Sequence, residues 1–446
     1  MLRAVPGSKL PRTAQTLWFL LDPVEFLNRS ARRYGSVFAA RTWMYGDVLV
    51  AGDAASIREV GAGDPEVFRG GEANSFLRPV VGARSVSCLD GEEHSARRKL
   101  LMPVLQRAST RLPSATREIA DRIFDGAPIE KPVSLHRLMR AITLEVALHV
   151  ALGRSDERGR RAVGEALTRV VDKGTVPFSQ LGAMPALQRD WGFLSPWAAF
   201  RRDIERLDVL VLELIDRRRS GVARGDALDA LDGLLAVEDG AGAALSHVDL
   251  RDDVVTLVGA AHDTTATALA WTVDRLLAHP HAMARVEEEL SNRSRLPAGD
   301  SRRDAVPYLD AVIHETLRQR PVLPTFSRVA GAEAYVSGFR VPKGTRIMLS
   351  AQLAHHDSDS FPDPARFQPE RFLEGRPPPY AFVPFGGGSR RCPGAAIALE
   401  QMRIVLGVLL SRFEIERAHP SSTRPIFRGS TLAPADGTRV VLRARC

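Results

Sequence analysis

The sequence predicts a mainly α-helical fold carrying small β-sheets, and three observations carry that reading. From Leu112 to Val237 apolar residues recur at spacings of three and four, as in LHRLMRAITLEVALHVAL and RDIERLDVLVLELIDRRR. A helical pattern from about Val248 to Ala278 spans roughly 45 Å at 1.5 Å per residue, long enough to cross a whole domain. Strand-like alternation is confined to two short stretches, about 35–65 and 325–350.

Taken in order, Pro23 to Tyr34 reads as a helix, and Val37–Arg41 and Val48–Ala51 as a hairpin turning at Tyr45-Gly46-Asp47. A Gly- and Arg-containing loop, Arg69 to Ser87, leads into GEEHSARRKLL, where His94 and Arg98 share one helical face four residues apart. The Pro-, Gly- and aromatic-containing stretch Gly174 to Trp197 breaks the helical periodicity and reads as an irregular lid. Gly240 to Ala244 is a small-residue linker before the long helix. HETLR places Glu315 and Arg318 on one helix, PVLPTFSRVA reads as a kinked strand and AYVSGFRVPKGTRIMLS as β-rich, with Pro342-Lys343-Gly344 as a turn. PIFRGSTLAPADG reads as a loop. No internal repeat is present.

With 446 residues and 44% hydrophobic content the chain can bury a substantial core, and one domain over 1–446 is expected, its helical core at about 90–320 and 393–413. Its three cysteines, Cys88, Cys392 and Cys446, are too few and scattered for a disulfide framework, which favours a reducing, cytoplasmic setting. The apolar run Leu17 to Leu21 is stopped by Asp22 and Pro23, so no membrane anchor is expected. The formal charge of +8 admits nucleic-acid binding, but the basic residues are spread along helices without interleaved aromatics, and a solvated surface is favoured over nucleic acid.

The most informative segment is FGGGSRRCPG, Phe385 to Gly394. Gly386, Gly387 and Gly388 permit tight backbone and close approach of a flat group. Pro393 suits a first helical turn, and Ala398, Leu399, Met402, Val405, Leu406, Leu409, Leu410 and Phe413 continue an apolar face. Cys392 therefore sits at a helix N-terminus, where the dipole and free N–H groups are expected to lower its pKa and favour a metal thiolate, with Phe385 shielding the sulfur. The bland alternative is a buried free cysteine.

This segment resembles the haem-thiolate loop of the cytochrome P450 family, Phe-x-x-Gly-x-Arg-x-Cys-x-Gly, met by Phe385, Gly388, Arg390, Cys392 and Gly394. Other landmarks follow in order over nearly the whole chain. The resemblance implies a triangular helical fold whose long central helix crosses over haem b, iron protoporphyrin IX, with Cys392 as iron ligand. It implies that His94, Arg98, Arg328 and Arg390 meet the haem propionates. In GAAHDTTATALAW, Asp263 and Thr264 match the acid and alcohol that deliver protons to dioxygen, with Ala261 where the family usually has Gly. A local bulge where Thr264 bonds a backbone carbonyl would open a groove there for a small ligand. His262 reads as a pocket-wall histidine rather than a second iron ligand, because adjacent helical residues face about 100° apart. Glu315 and Arg318, with Arg371 of Pro-Glu-Arg-Phe, match a structural network behind the sulfur loop.

The function expected from the resemblance is a monooxygenase that hydroxylates or epoxidises a lipophilic small molecule, a terpenoid or steroid foremost. It would act as a monomer on O₂ and take electrons from a separate ferredoxin or flavodoxin with an NAD(P)H-dependent reductase. Arg97, Lys99, Arg391 and Arg403 are expected to form the docking patch. The alternatives are a peroxide-driven or isomerising haem-thiolate enzyme and a non-catalytic haem sensor.

Overall fold

Short N-terminal helices feed a β-sheet, and the sheet hands the chain to a helical body. The computed structural model describes residues 5–154, 156–174, 196–221, 229–237, 244–295, 305–419 and 423–445. Two helices, α1 (Arg12–Leu21) and α2 (Pro23–Tyr34), precede the hairpin β1 (Val37–Thr42) and β2 (Gly46–Ala51). Asp22 starts α2 by accepting the Glu25 N–H at 2.9 Å, and Pro23 fills the first helical position. Then come α3 (Ala54–Gly61), the two-residue β3 (Phe68–Arg69) and the single turns α4 (Gly70–Ala73) and α5 (Arg78–Val81), which organise the expected loop.

The helical body runs α6 (Gly91–Ala108), α7 (Leu112–Asp125), the edge strand β4 (Pro132–Ser134), α8 (Leu135–Leu152), α9 (Glu157–Gly174), α10 (Pro196–Arg219), α11 (Ala230–Leu235), α12 (His247–Ala278), α13 (Pro280–Ser294) and α14 (Pro307–Gln319). The anticipated lid falls almost wholly at 175–195, outside the described residues, as does most of the 240–244 linker. β4 interrupts a region that reads as continuous helix; it pairs with a strand more than three hundred residues later, so local periodicity does not reveal it.

The chain returns to the sheet with β5 (Thr325–Ala330), the hairpin β6 (Ala334–Val336) and β7 (Phe339–Val341), and β8 (Arg346–Ser350). It then passes through the short α15 (Ala351–Ala354) and α16 (Arg371–Glu374) to α17 (Ala395–Arg412) and the strands β9 (Phe413–Arg417), β10 (Pro425–Arg428), β11 (Thr431–Pro434) and β12 (Arg439–Ala444). The main sheet has the order β1-β2-β8-β5-β3, parallel only between β2 and β8. β4-β12-β9 form a second sheet, and β10-β11 form a hairpin where a loop was expected.

The 32-residue α12 organises the body. Ser246 and Asp249 close a capping box at its start. Its C-terminal half packs with α7, α8, α14 and α17 in one apolar cluster, and its N-terminal half with α6, α8, α10 and α11 in another. Both flanks being covered, the helix is buried nearly all round, and polar residues in its middle must find partners inside the protein.

Candidate functional site

The sulfur loop is shaped by its glycines. Gly386 and Gly388 have φ of +70° and +66°, and a Cβ on Gly388 would stand 1.6 Å from the Gly61 carbonyl oxygen at the end of α3. The Gly386 N–H donates to the Val383 carbonyl at 3.0 Å and the Cys392 N–H to the Phe385 carbonyl at 2.9 Å, so the loop folds back on itself. Phe385 packs against the larger apolar cluster, and Gly394 is the N-cap of α17.

The Cys392 side chain is solvent-accessible although protein surrounds it densely, as on a concave wall. Burial pushes its thiol above the ordinary value; a hydrogen bond from the Gly394 N–H and the charges of Arg98 and Arg391 oppose this without overcoming it. The expected lowering by the helix terminus is therefore outweighed by desolvation. Among the described residues no three His, Cys, Asp or Glu side chains cluster as a metal site would.

Three arginines and a histidine gather beside the loop from different elements. His94 on α6 is buried and pushed down to about 4 by desolvation, then by Arg390 and Arg98, so it is neutral. Arg98 follows one turn on, half-buried. Arg328 on β5 is 5% exposed; its Nη1 donates to the Ser327 carbonyl at 2.9 Å while its Nη2 has no hydrogen-bond partner among the described residues. Burial, followed by the charge of Arg390, lowers its pKa to about 10.

Arg390 donates to the carbonyls of Val86 and Leu89 and to Asp90 at 2.6 Å. Asp90 escaped the sequence reading. Placed just before α6 it looks like an N-cap, yet it caps nothing there and instead accepts the Gly71 and Glu72 N–H groups, each at 2.7 Å. One carboxylate among three arginines leaves a buried excess of positive charge and an orphaned donor, which suits a group bearing two carboxylates such as haem.

Over α12 the polar cluster divides between two faces. The Thr264 hydroxyl donates to the Ala260 carbonyl at 2.7 Å, while the backbone stays α-helical through Ala260 to Thr265, so the anticipated bulge does not form. Asp263 is 7% exposed, with Arg140 Nε of α8 at 3.0 Å and the Thr431 hydroxyl donating at 3.4 Å. The Arg140 contact is an ion pair whose alignment falls short of a hydrogen bond. Arg140 in turn reaches Asp172 of α9 at 2.7 Å. His262 turns toward α8, its Nδ1 3.4 Å from the Thr143 hydroxyl, and desolvation pushes it down to about 4.

Behind the loop, Glu315 and Arg318 are fully buried and doubly hydrogen-bonded at 2.7 and 2.8 Å. Arg371 Nε approaches Glu315 at 3.3 Å, and the Gln368 N–H donates to it at 2.9 Å, so the three anticipated side chains do meet. The anticipated docking patch does not survive intact. Arg97 is buried against Asp249 and Asp253, and Arg403 is bound to Asp310 and Glu400, which leaves Lys99 and Arg391 exposed.

An accessible cysteine just before α17, with buried arginines beside its loop that outnumber their one carboxylate, has the makings of a haem-thiolate site. The profile of the family described as Cytochrome P450 matches residues 6–441, and the chain belongs to that family, whose members are monooxygenases. It is 36% identical over 442 residues to the putative cytochrome P450 135B1 of Mycobacterium bovis, covering 98% of this chain and 91% of that one. It is 34% identical over 452 residues to the putative cytochrome P450 138 of the same organism, covering 100% and 97%. Among solved structures, retinoic acid-bound cyanobacterial CYP120A1 superposes with a TM-score of 0.84 at 25% identity, over 99% of both chains. A cytochrome P450DA heme domain reaches 0.84 at 22% identity, over 99% of this chain and 98% of that one.

Proposed function

We propose that this P450 hydroxylates or epoxidises a lipophilic small molecule, a terpenoid or steroid foremost, with haem b bound through Cys392. The observation that carries the reading is the accessible Cys392 thiol on the same loop as Arg390, whose neighbour Arg328 keeps a buried donor unpaired among the described residues. Haem supplies the oxygen activation, which a thiolate donor favours. Overall, substrate C–H, O₂, two electrons and two protons become C–OH and water.

The chain's residues hold and orient. Arg98, Arg328 and Arg390 bind the propionates and neutral His94 adds a hydrogen bond. Phe385 and Gly394 flank the sulfur, Phe385 screening it from water, and bound iron would stabilise the thiolate that burial alone disfavours. Asp263, held beside Arg140, supplies a proton through its carboxyl oxygens, and the Thr264 hydroxyl on the more exposed face of α12 passes it on. Glu315, Arg318 and Arg371 are structural supports.

Several observations support a lipophilic substrate. The pocket-side segments Leu257–Ala261 and Val322–Phe326 are apolar or small, Phe76 and Leu323 are exposed, and the similar cyanobacterial protein holds retinoic acid. Lys99 and Arg391 supply the positive face for an acidic ferredoxin or flavodoxin, reduced in turn by an NAD(P)H-dependent reductase. The cysteine count suits a cytoplasmic setting, and we take the chain as one monomeric domain. Among the described residues no helix is long and apolar enough to cross a membrane.

The test is Cys392→Ser, expected to abolish the red-shifted carbonyl spectrum of the reduced protein; its retention would reject the ligand assignment. Terpenoids and steroids are expected to shift the ferric spin state, and turnover is expected with NAD(P)H, reductase and ferredoxin. Turnover with peroxide alone would select the peroxide-driven alternative.

A further inference from the structure

The buried network of Glu315, Arg318 and Arg371 does not itself reach the sulfur loop. Among the described residues, its side-chain hydrogen bonds to other segments end on residues 355–371: the His355, Pro362, Pro364 and Arg366 carbonyls and the Gln368 N–H. The link onward is the ring of His355, which is fully buried in the turn after α15. Its Nε2 lies 2.9 Å from the Val383 nitrogen and its Nδ1 3.2 Å from the Arg318 carbonyl.

These partners fix the ring's protonation. A backbone N–H only donates, so Nε2 accepts; the proton therefore sits on Nδ1 and is donated to the Arg318 carbonyl. Burial, reinforced by the charges of His356 and Arg318, pushes the pKa down to about 3, so the ring stays neutral. The connection is reciprocal, because Arg318 Nη1 donates to the His355 carbonyl at 2.7 Å. Phe382, next to Val383, packs on the ring with centroids 5.2 Å apart. From Val383 the path is short: its carbonyl accepts the Gly386 N–H, and Phe385 accepts the Cys392 N–H.

We propose that His355 is a positioning residue for the sulfur, its neutral ring spanning the Arg318 carbonyl and the Val383 N–H so that the buried network fixes where the loop holds Cys392. The proposal rests on the reading of Cys392 as the iron ligand. The Val383 bond ties the sulfur loop to the His355 turn, and the two His355–Arg318 bonds tie that turn to α14.

The test uses the holoenzyme, reduced and saturated with carbon monoxide. It follows the rate at which the red-shifted band is lost at a fixed temperature below melting. His355→Leu leaves a buried donor and acceptor unpaired and is expected to lose the band about tenfold faster or more. His355→Gln, which both donates and accepts, is expected to restore most of the wild-type rate. Leu231→Ala in remote α11, matched for loss of melting temperature, is expected to keep the band as wild type does. The proposal is overturned if His355→Leu loses the band at the wild-type rate, if Leu231→Ala loses it as fast, or if glutamine does no better than leucine.

Should the leucine variant not fold, His355→Asn, too short to span both partners, replaces it. Asparagine is expected to lose the band several-fold faster than glutamine, and equal rates overturn the proposal. A red-shifted band in Cys392→Ser would instead defeat the ligand reading, a separate outcome.

Discussion

Substituting two glycines of the sulfur loop separates backbone strain from steric contact. Gly386 and Gly388 share nearly the same left-handed φ, +70° and +66°, so alanine meets a similar intrinsic penalty at each, about 1 kcal/mol. Part of that is offset by the smaller entropy of the unfolded chain, about 0.4–1 kcal/mol. Their surroundings differ. At Gly386 the nearest atom to a new Cβ is 3.9 Å away, an ordinary contact, and the net cost should stay within about 1 kcal/mol. At Gly388 the Cβ would lie 1.6 Å from the Gly61 carbonyl oxygen and 2.5 Å from its carbon.

That overlap is relieved only by moving backbone, since neither atom belongs to a flexible side chain. α3 resists, because its end is pinned by the Ala62 N–H on the Arg58 carbonyl at 2.9 Å. The sulfur loop must move instead, for a further cost of about 1–3 kcal/mol and a total of roughly 1–4 kcal/mol. In a chain of 446 residues, 1 kcal/mol moves the melting temperature by only about 1 °C. The sharper readout is the fraction of reduced protein showing the red-shifted carbonyl band, because Gly388 is four residues from Cys392. Gly386→Ala is expected to keep that fraction and Gly388→Ala to lose most of it. Equal melting temperatures and equal fractions in the two variants would refute the idea that contact with Gly61 sets the loop.

Two further outcomes follow from the same geometry. Thr264→Ala is expected to keep haem and substrate binding while several-fold more NAD(P)H is spent on free hydrogen peroxide; unchanged coupling of NAD(P)H to product would count against the hydroxyl's role. Stability should fall in mild acid, because buried His136 and His355, pushed down to about 3, and His262 and His356, to about 4, refuse protons that the unfolded chain accepts below about 6.5. Asp253, pushed up to about 7 by burial, acts in the opposite sense and offsets one of them. With His94 counted too, the net loss on going down through pH 5 is on the order of 5 kcal/mol per pH unit, and urea midpoints unchanged between pH 7 and pH 5 would contradict it.

What the sequence made legible was what lies close together along the chain. The sulfur loop, the His94 and Arg98 spacing, the Asp263-Thr264 pair and the Glu315 and Arg318 pair are each set by one turn of backbone or one helical repeat. Partners brought in by tertiary crossings were hidden. Arg140 on α8 reads as one more arginine on a helix until α12 packs across it and presents Asp263. Arg97 reads as a surface cation, yet it lies under the N-terminal half of α12 with Asp249 and Asp253. Asp90 and Arg390 are three hundred residues apart, and nothing local to either announces the pairing. The thiol's pKa was misjudged in direction for a related reason: the helix terminus is visible in sequence, but the depth of the wall around Cys392 is a property of the whole fold.

Two buried arginines show how the chain distinguishes scaffold from site. Arg318, fully buried, has a carboxylate partner in Glu315 and acceptors in the His355, Pro364 and Arg366 carbonyls, so its charge is answered within the protein. Arg328, 5% exposed, donates to one carbonyl, keeps an Nη2 unpartnered among the described residues, and has Arg390 as a stronger influence than the carboxylate of Asp90. Residue type and burial are nearly the same, so the difference lies in what the surroundings supply. Burying a cation without its counter-charge is costly, and a fold bears that cost where an anion from outside the chain returns it. On that argument the position of Arg328, more than its match to any motif, marks the side of the pocket where a bound group's negative charge belongs.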